Sequence, residues 1–191
     1  MANETKYDSK GYSKTLDKLV TLAEKEYYVQ MVDINRHQVV VSRAILWLLV
    51  VLIGFDFAFV EWMHSKLSTN TELFSVMVSC LVIISLAIVS GVAAFGFAIL
   101  SIPAIGGYSK LYENSWAEYA NNAYTRWESE DQFVYETEMN TLLGKLDSAC
   151  SIGSTTNHNR GIKLRIASVL SIISAVFTCI TFIVFSFNYY L

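Results

Sequence analysis

Three stretches of this chain are each long and apolar enough to cross a lipid bilayer, which needs about 20 consecutive residues in a helix. Residues 44–63 read AILWLLVVLIGFDFAFVEWM, with one acid well inside. Residues 73–105 read LFSVMVSCLVIISLAIVSGVAAFGFAILSIPAI, longer than one crossing requires, so this span tilts or extends past the bilayer. Residues 166–187 read IASVLSIISAVFTCITFIVFSF. Core helices of water-soluble domains rarely run this far without charge. Composition agrees: 53% of the 191 residues are hydrophobic, 16% are charged and mean hydropathy is +0.39, more apolar sequence than a soluble domain of this size needs. A single proline leaves few forced breaks. The expected fold is therefore an all-α membrane protein with three transmembrane helices. A long N-terminal amphipathic helix precedes them, and a cytoplasmic helical region lies between spans two and three. The expected divisions are 1–43 for the N-terminal helix, 44–105 for a transmembrane hairpin, 106–161 for the middle region, and 162–191 for the third span with a short outer tail.

Flanking charge sets the expected orientation. Arg36 and Arg43 precede span one, Lys110 follows span two, and Arg160, Lys163 and Arg165 precede span three. The loop between spans one and two carries only His64 and Lys66. Positive residues stay inside, so the N-terminus and the middle region are expected in the cytoplasm and the C-terminus outside the inner (plasma) membrane. Trp62, Tyr189 and Tyr190 fall where an outer aromatic belt would sit. The first 43 residues are too polar for a cleavable signal peptide, so span one is expected to act as the insertion signal. Cys80, Cys150 and Cys179 are an odd set with no pairing pattern and read as free thiols.

From Tyr12 to Arg43 there is neither proline nor glycine. Leu16, Val20, Ala23, Tyr27, Ile34 and Val41 recur in steps of three, four and seven, with Gln30 and His37 filling the gaps in that seam. This predicts an amphipathic helix of heptad character that runs unbroken into span one. It packs either on the middle region of the same chain or on copies of itself. Pro103, Gly106 and Gly107 are expected to end span two. The middle region then reads as two helices separated by a charged hinge at 128–131, followed by a polar loop, SIGSTTNHNRG, at 151–161. Tyr112, Trp116, Tyr119, Ala120, Ala123 and Trp127 make an apolar stripe. It is either a cap over the N-terminal helix or, through Trp116 and Trp127, a docking face for a soluble partner.

Asp56 is the most informative single residue. A carboxylate at membrane depth costs about 3 kcal/mol unless it faces protein or water, which makes it a functional candidate. In an oligomer it would form an acidic ring that favours cations. Glu61 lies five residues on, at the expected outer boundary, and off the same helix face. Span two carries small residues at Ser79, Ala87, Gly91, Ala94 and Ala98, a stripe that lets another helix approach closely. Span three carries Ser168, Ser171, Ala175 and Thr178 on one side, with Ser174 and Thr181 beside them. That polar stripe suits helix packing or the lining of a wet pore.

No catalytic function is expected. His37, His64 and His158 lack metal-ligand spacing, and there is neither a phosphate-binding glycine loop nor a nucleophile motif. No cofactor is implied. The net charge of -3 and the scattered basic residues give no reason to expect direct nucleic-acid binding.

The order of parts resembles small membrane effectors of bacterial antiphage defence, the SLATT-type two-span proteins and the transmembrane effectors found beside retron reverse transcriptases. The resemblance lies in a cytoplasmic helix ending in a basic residue (VVVSRAILWLL), a close pair of spans and a cytoplasmic helical region. It covers most of the chain and is architectural, without a diagnostic motif, and the third span departs from the two-span layout. It implies a homo-oligomer in the lipid bilayer that permeabilises or depolarises the inner membrane, a toxin-like act of antiviral defence. The implied trigger is a partner, either a reverse transcriptase with its DNA or a second-messenger sensor. The alternative is a membrane-anchored interaction or immunity-type protein that docks a soluble partner through its cytoplasmic helices.

Overall fold

The computed structural model describes residues 9–67, 74–102, 116–128 and 133–190. All secondary structure among them is helical. α1 (Ser9–Tyr28) continues through a π-helical segment (Val29–Ile34) into α2 (Asn35–Leu67). α3 is Phe74–Leu100, α4 is Trp116–Glu128, and α5 is Val134–Tyr190. Three helices are long and apolar enough to cross a membrane, as the three apolar blocks predict. The protein is an all-α membrane protein. Pro103, Gly106 and Gly107 lie outside the described residues, as does most of the hinge at 128–131; the described part of α3 closes at Leu100 with a turn through Ser101.

One expectation is overturned. The polar stretch 151–161 is helix throughout, part of a single α5 of 57 residues. Its serines, threonines and asparagines look like a loop. Yet Gly153, Asn157 and Arg160 are buried and continue the three-and-four spacing of the apolar positions beyond them, so tertiary packing overrides their weak helix propensity.

The chain forms two compact units, Met1–Asn35 with Gly107–Asn157, and Arg36–Gly106 with His158–Leu191. In the first, α1 and the early part of α5 run parallel. Ser13 donates to Glu136 at 2.9 Å, Tyr135 donates to Asp17, the Cys150 thiol faces the Ala23 carbonyl at 3.9 Å, and Asn157 meets Gln30. Leu16, Val20, Val134, Leu146 and Ala149 are buried, and Arg126 pairs with Glu138 at 2.8 Å.

The π-helical segment changes the expected seam. Buried positions fall at Leu16 and Val20 as anticipated, but beyond the π-turn they are Asn35, Gln38 and Ser42. Ile34 and Val41 are only half-buried and His37 is exposed. The whole seam has stepped by one residue, the amount a widened i→i+5 turn adds. Such a turn moves the backbone bonds from i→i+4 to i→i+5. Asn157 donates its side-chain amide to the Gln30 carbonyl at 2.8 Å and approaches Gln30 Oε1 at 3.2 Å. Asn35 donates to the Met31 carbonyl at 2.8 Å. Two asparagine side chains thus bond to carbonyls of the π-turn region.

In the second unit α2 and α5 run parallel and α3 antiparallel to both. α3 buries Met77, Cys80, Ile84, Ala87, Gly91, Ala94 and Ala98, and Ser101 follows, in strict alternation of three and four. That is the knobs-into-holes spacing of a left-handed bundle. Met77, Cys80 and Ile84 meet Phe59, Met63 and Phe185 in a bulky cluster. Phe59 touches Phe55, Trp62, Phe182 and Phe185 with ring centroids 5.5–6.1 Å apart, and Lys66 Nζ lies 5.5 Å over the Tyr189 ring. Trp62 and Tyr189, expected as interfacial aromatics, pack against each other at 6.0 Å.

Replacing Asn157 by alanine should cost the folded state about 1–3 kcal/mol, because the Gln30 carbonyl loses a buried donor. Amide hydrogen exchange should rise around residues 30–35 and thermal unfolding should come earlier. Unchanged exchange there would show that the π-turn does not depend on this bond.

Candidate functional site

The candidate site sits inside the second unit, where spans one, two and three bring polar groups together in an otherwise apolar interior. Asp56 is fully buried. Its Oδ1 lies 2.7 Å from Thr178 Oγ1. The same threonine hydroxyl is 3.0 Å from the Ser174 carbonyl oxygen. Asp56 Oδ2 has no hydrogen-bond partner among the described residues. Ser174 donates its hydroxyl across to the Ala87 carbonyl of α3 at 2.8 Å.

Helical spacing explains why these groups converge. Ser171, Ser174, Thr178, Thr181 and Phe185 occupy one buried row of α5 in steps of three and four. Asp56 takes the matching inward position on α2, with Leu49 two turns before and Met63 two turns after. Opposite them, Gly91 lets α3 come close. A Cβ built there would stand 3.1 Å from Ser174 Oγ and 3.3 Å from the Ile53 side chain, tighter than ordinary contact. Serine and threonine in a helix return their hydroxyl to a carbonyl one turn back, as Ser171 does to Ala167 at 2.7 Å and Thr181 to Phe177 at 2.8 Å. At Thr178 that habit competes with Asp56.

The predicted residues divide accordingly. Asp56, Thr178, Ser171, Ser174, Ala87, Gly91, Ala94 and Ala98 are brought to one interior. Glu61 is exposed, on another face of α2, and does not join Asp56. Ser79 is exposed and bonds back to the Ser75 carbonyl; the buried stripe of α3 passes through Cys80 in its place. Ser168 and Ala175 are half-buried and flank the row instead of belonging to it. Trp116 and Trp127 lie on α4, and their side chains are outside what the structure describes.

Sequence reasoning missed the second polar contact of this unit. Ser42 and Ser101 are both fully buried and their hydroxyls meet at 2.8 Å. Ser42 Oγ also lies 2.8 Å from the Gln38 carbonyl oxygen and Ser101 Oγ 2.6 Å from the Ala98 carbonyl oxygen, so two hydroxyl protons serve three short contacts and two of them are hydrogen bonds at a time. The available signal was the three-four alternation of α3, which reaches Ser101 when carried one step past Ala98.

In the first unit a cavity of about 280 Å³ is lined by Ala23, Glu26, Leu143, Asp147, Cys150, Ser151 and Ser154. Burial pushes the Cys150 thiol above the usual thiol range, and the Glu26 and Asp147 carboxylates beside it push the same way. Among the described residues no three His, Cys, Asp or Glu side chains converge as metal ligands.

Two predictions follow from this packing. Gly91→Leu should destabilise the bundle by about 1–3 kcal/mol through overpacking against Ser174 and Ile53, whereas Gly96→Leu, with open space around it, should be tolerated. Detergent-resistant thermal unfolding compares the two; equal behaviour would place no close helix approach at Gly91. The folded state also holds the Cys150 proton more tightly than the unfolded chain does. Its contribution to stability is therefore present below the ordinary thiol range and fades as pH rises through the raised value. Alkylation of Cys150 in the folded protein should accordingly be slow at neutral pH and accelerate only in alkali, relative to the denatured chain.

Comparison with known proteins assigns no relative: no family model, no curated protein and no solved structure matches this chain. The chemistry of Asp56 and its partners therefore carries the functional argument.

Proposed function

We propose that the protein is a membrane effector. On a partner's signal it oligomerises and permeabilises or depolarises the inner membrane, in the manner of abortive-infection antiphage defence. The carrying observation is Asp56, a buried carboxyl in a three-helix interior with one oxygen that has no hydrogen-bond partner among the described residues. A passive anchor has no use for such a group, since a leucine there would pack better and avoid the desolvation cost. The hydroxyls of Ser171, Ser174, Thr178 and Thr181 extend the polar interior along one helix. An interior of this kind has groups able to meet water or ions when the helices separate, so the permeable state costs less than in a hydrocarbon core.

The orientation that goes with this reading has the N-terminus and middle region in the cytoplasm and the C-terminus outside, following the basic flanks of the spans. The acid faces the interior of its own chain's bundle, so an acidic ring between copies requires the bundle to rearrange first. That requirement suits a protein that waits for a trigger, such as a second-messenger sensor or a reverse transcriptase with its DNA.

The first unit gives a reason to keep a second reading, a membrane-anchored protein that docks a soluble partner. Leu19, Leu22, Tyr28, Val29 and Val32 are exposed along α1 and the π-turn, with Leu22 at 63%. Apolar side chains so placed are a common mark of contact surfaces.

Expression in bacteria with a membrane-potential dye separates the two. The effector reading expects depolarisation and growth arrest on activation. Asp56→Asn should slow depolarisation roughly tenfold, equivalent to about 1.4 kcal/mol, while the protein still reaches the membrane. Depolarisation unaffected by Asp56→Asn removes the basis of this reading. Harmless expression with co-purification of a soluble partner, lost on Leu22→Glu, supports the docking reading.

A further inference from the structure

The spacing of oxygens around Asp56 specifies what the site holds. Thr178 has one hydroxyl proton and two short contacts, 2.7 Å to Asp56 Oδ1 and 3.0 Å to the Ser174 carbonyl. If Asp56 is a carboxylate, both neighbours of Thr178 are acceptors and its single proton can serve only one of them. If Asp56 carries a proton on Oδ1, the acid donates to Thr178 Oγ1 and Thr178 donates to the Ser174 carbonyl. Both short contacts are then hydrogen bonds. The oxygen left over, Oδ2, becomes a neutral carbonyl oxygen, which tolerates isolation far better than half of a buried carboxylate does.

Among the described residues no charged group of the packed spans stands ready to neutralise a carboxylate there. α3 has no acidic or basic residue from Phe74 to Leu100, and its one titratable side chain, Cys80, lies beside the Thr181 carbonyl at 4.0 Å. α5 from Ile166 onward has no acidic or basic residue either; Cys179 is exposed, and Tyr189 packs with Trp62. On α2 the nearest charge is Glu61, exposed and of the same sign. The Ser171, Ser174 and Thr181 hydroxyls donate to backbone carbonyls and keep their lone pairs, so a metal cation is the competing occupant that the salt arm of the test distinguishes.

We propose that Asp56, Thr178 and Ser174 form a binding site for one exchangeable proton, and that the loaded, neutral site is the form that closes the three-helix interior. This deepens the reading of Asp56 given under Proposed function and rests on its interior position. It does not depend on oligomerisation, so a protein that never depolarises a membrane can still hold the proton.

The test is infrared spectroscopy of the full chain in lipid vesicles at neutral pH, with aspartate carbon-13 labelling to identify the band. The expected result is a protonated-carboxyl stretch that shifts with the aspartate label and disappears in Asp56→Asn. It should shift in heavy water as the proton exchanges. It should move to higher frequency in Thr178→Val, which removes the acceptor, and should be unmoved by added sodium or potassium chloride. Labelled wild-type protein suffices if Asp56→Asn does not fold. A folded wild-type protein with only carboxylate bands overturns the proposal. Loss of the band on adding either salt at fixed pH overturns it in favour of a metal-cation site. A band that does not respond to heavy water overturns the exchangeable character and leaves a static structural acid.

Discussion

The constraint on which the rest depends is that a bilayer offers no water to a buried polar group. Each hydroxyl, amide or carboxyl turned inward must find its partner in the protein. The second unit meets this in a consistent way: Ser171 and Thr181 bond within their own helix, Ser174 reaches across to the Ala87 carbonyl, and Ser42 meets Ser101. Among the described residues Asp56 is the one carboxyl turned inward there, held by Thr178 through Oδ1 while Oδ2 has no hydrogen-bond partner, as is also true of Gln38 Oε1. Close approach makes the cross-helix bonds geometrically available, and the small residues Ala87, Gly91, Ala94 and Ala98 provide that approach. The bulky aromatic cluster around Phe59 and Phe185 fills the space where the facing residues of α3 are larger.

The π-turn at Val29–Ile34 shows that polar groups turned inward need partners outside a bilayer as well. A regular helix would have kept Ile34 and Val41 on the seam; the widened turn brings Asn35, Gln38 and Ser42 inward. It thereby trades two apolar contacts for polar ones. Asn157 and Asn35 donate to the Gln30 and Met31 carbonyls there.

The sequence was legible where a physical quantity adds up over many residues. The three spans stand out because each is a run of 20 or more mostly apolar residues, and the inward row of span two because Ala87, Gly91, Ala94 and Ala98 keep one spacing, though Ser79 was read into it where Cys80 belongs. Asp56 was legible because a charge inside such a block is rare. The failures come from single bonds and single residues. The π-turn has no compositional mark, so the seam was read one residue out of phase past Tyr27. The stretch 151–161 looks like a loop because its helix is held by partners distant in sequence, as Asn157 is by Gln30, 127 residues away. The Asp56–Thr178 pair was invisible for the same reason: both residues were singled out, but only the parallel run of α2 and α5 joins them.

That pairing has a consequence for how the chain is made. Asp56 and its partner Thr178 are 122 residues apart. At the usual pace of about 5–20 residues per second, the acid is synthesised on the order of ten seconds before the hydroxyl that will hold it. Span one therefore meets the insertion machinery as an apolar helix bearing an unmatched carboxyl, and spans one and two must wait as a hairpin for the third. The last helix of the chain completes the interior of the first, so a nascent chain halted before residue 178 carries its acid into lipid alone.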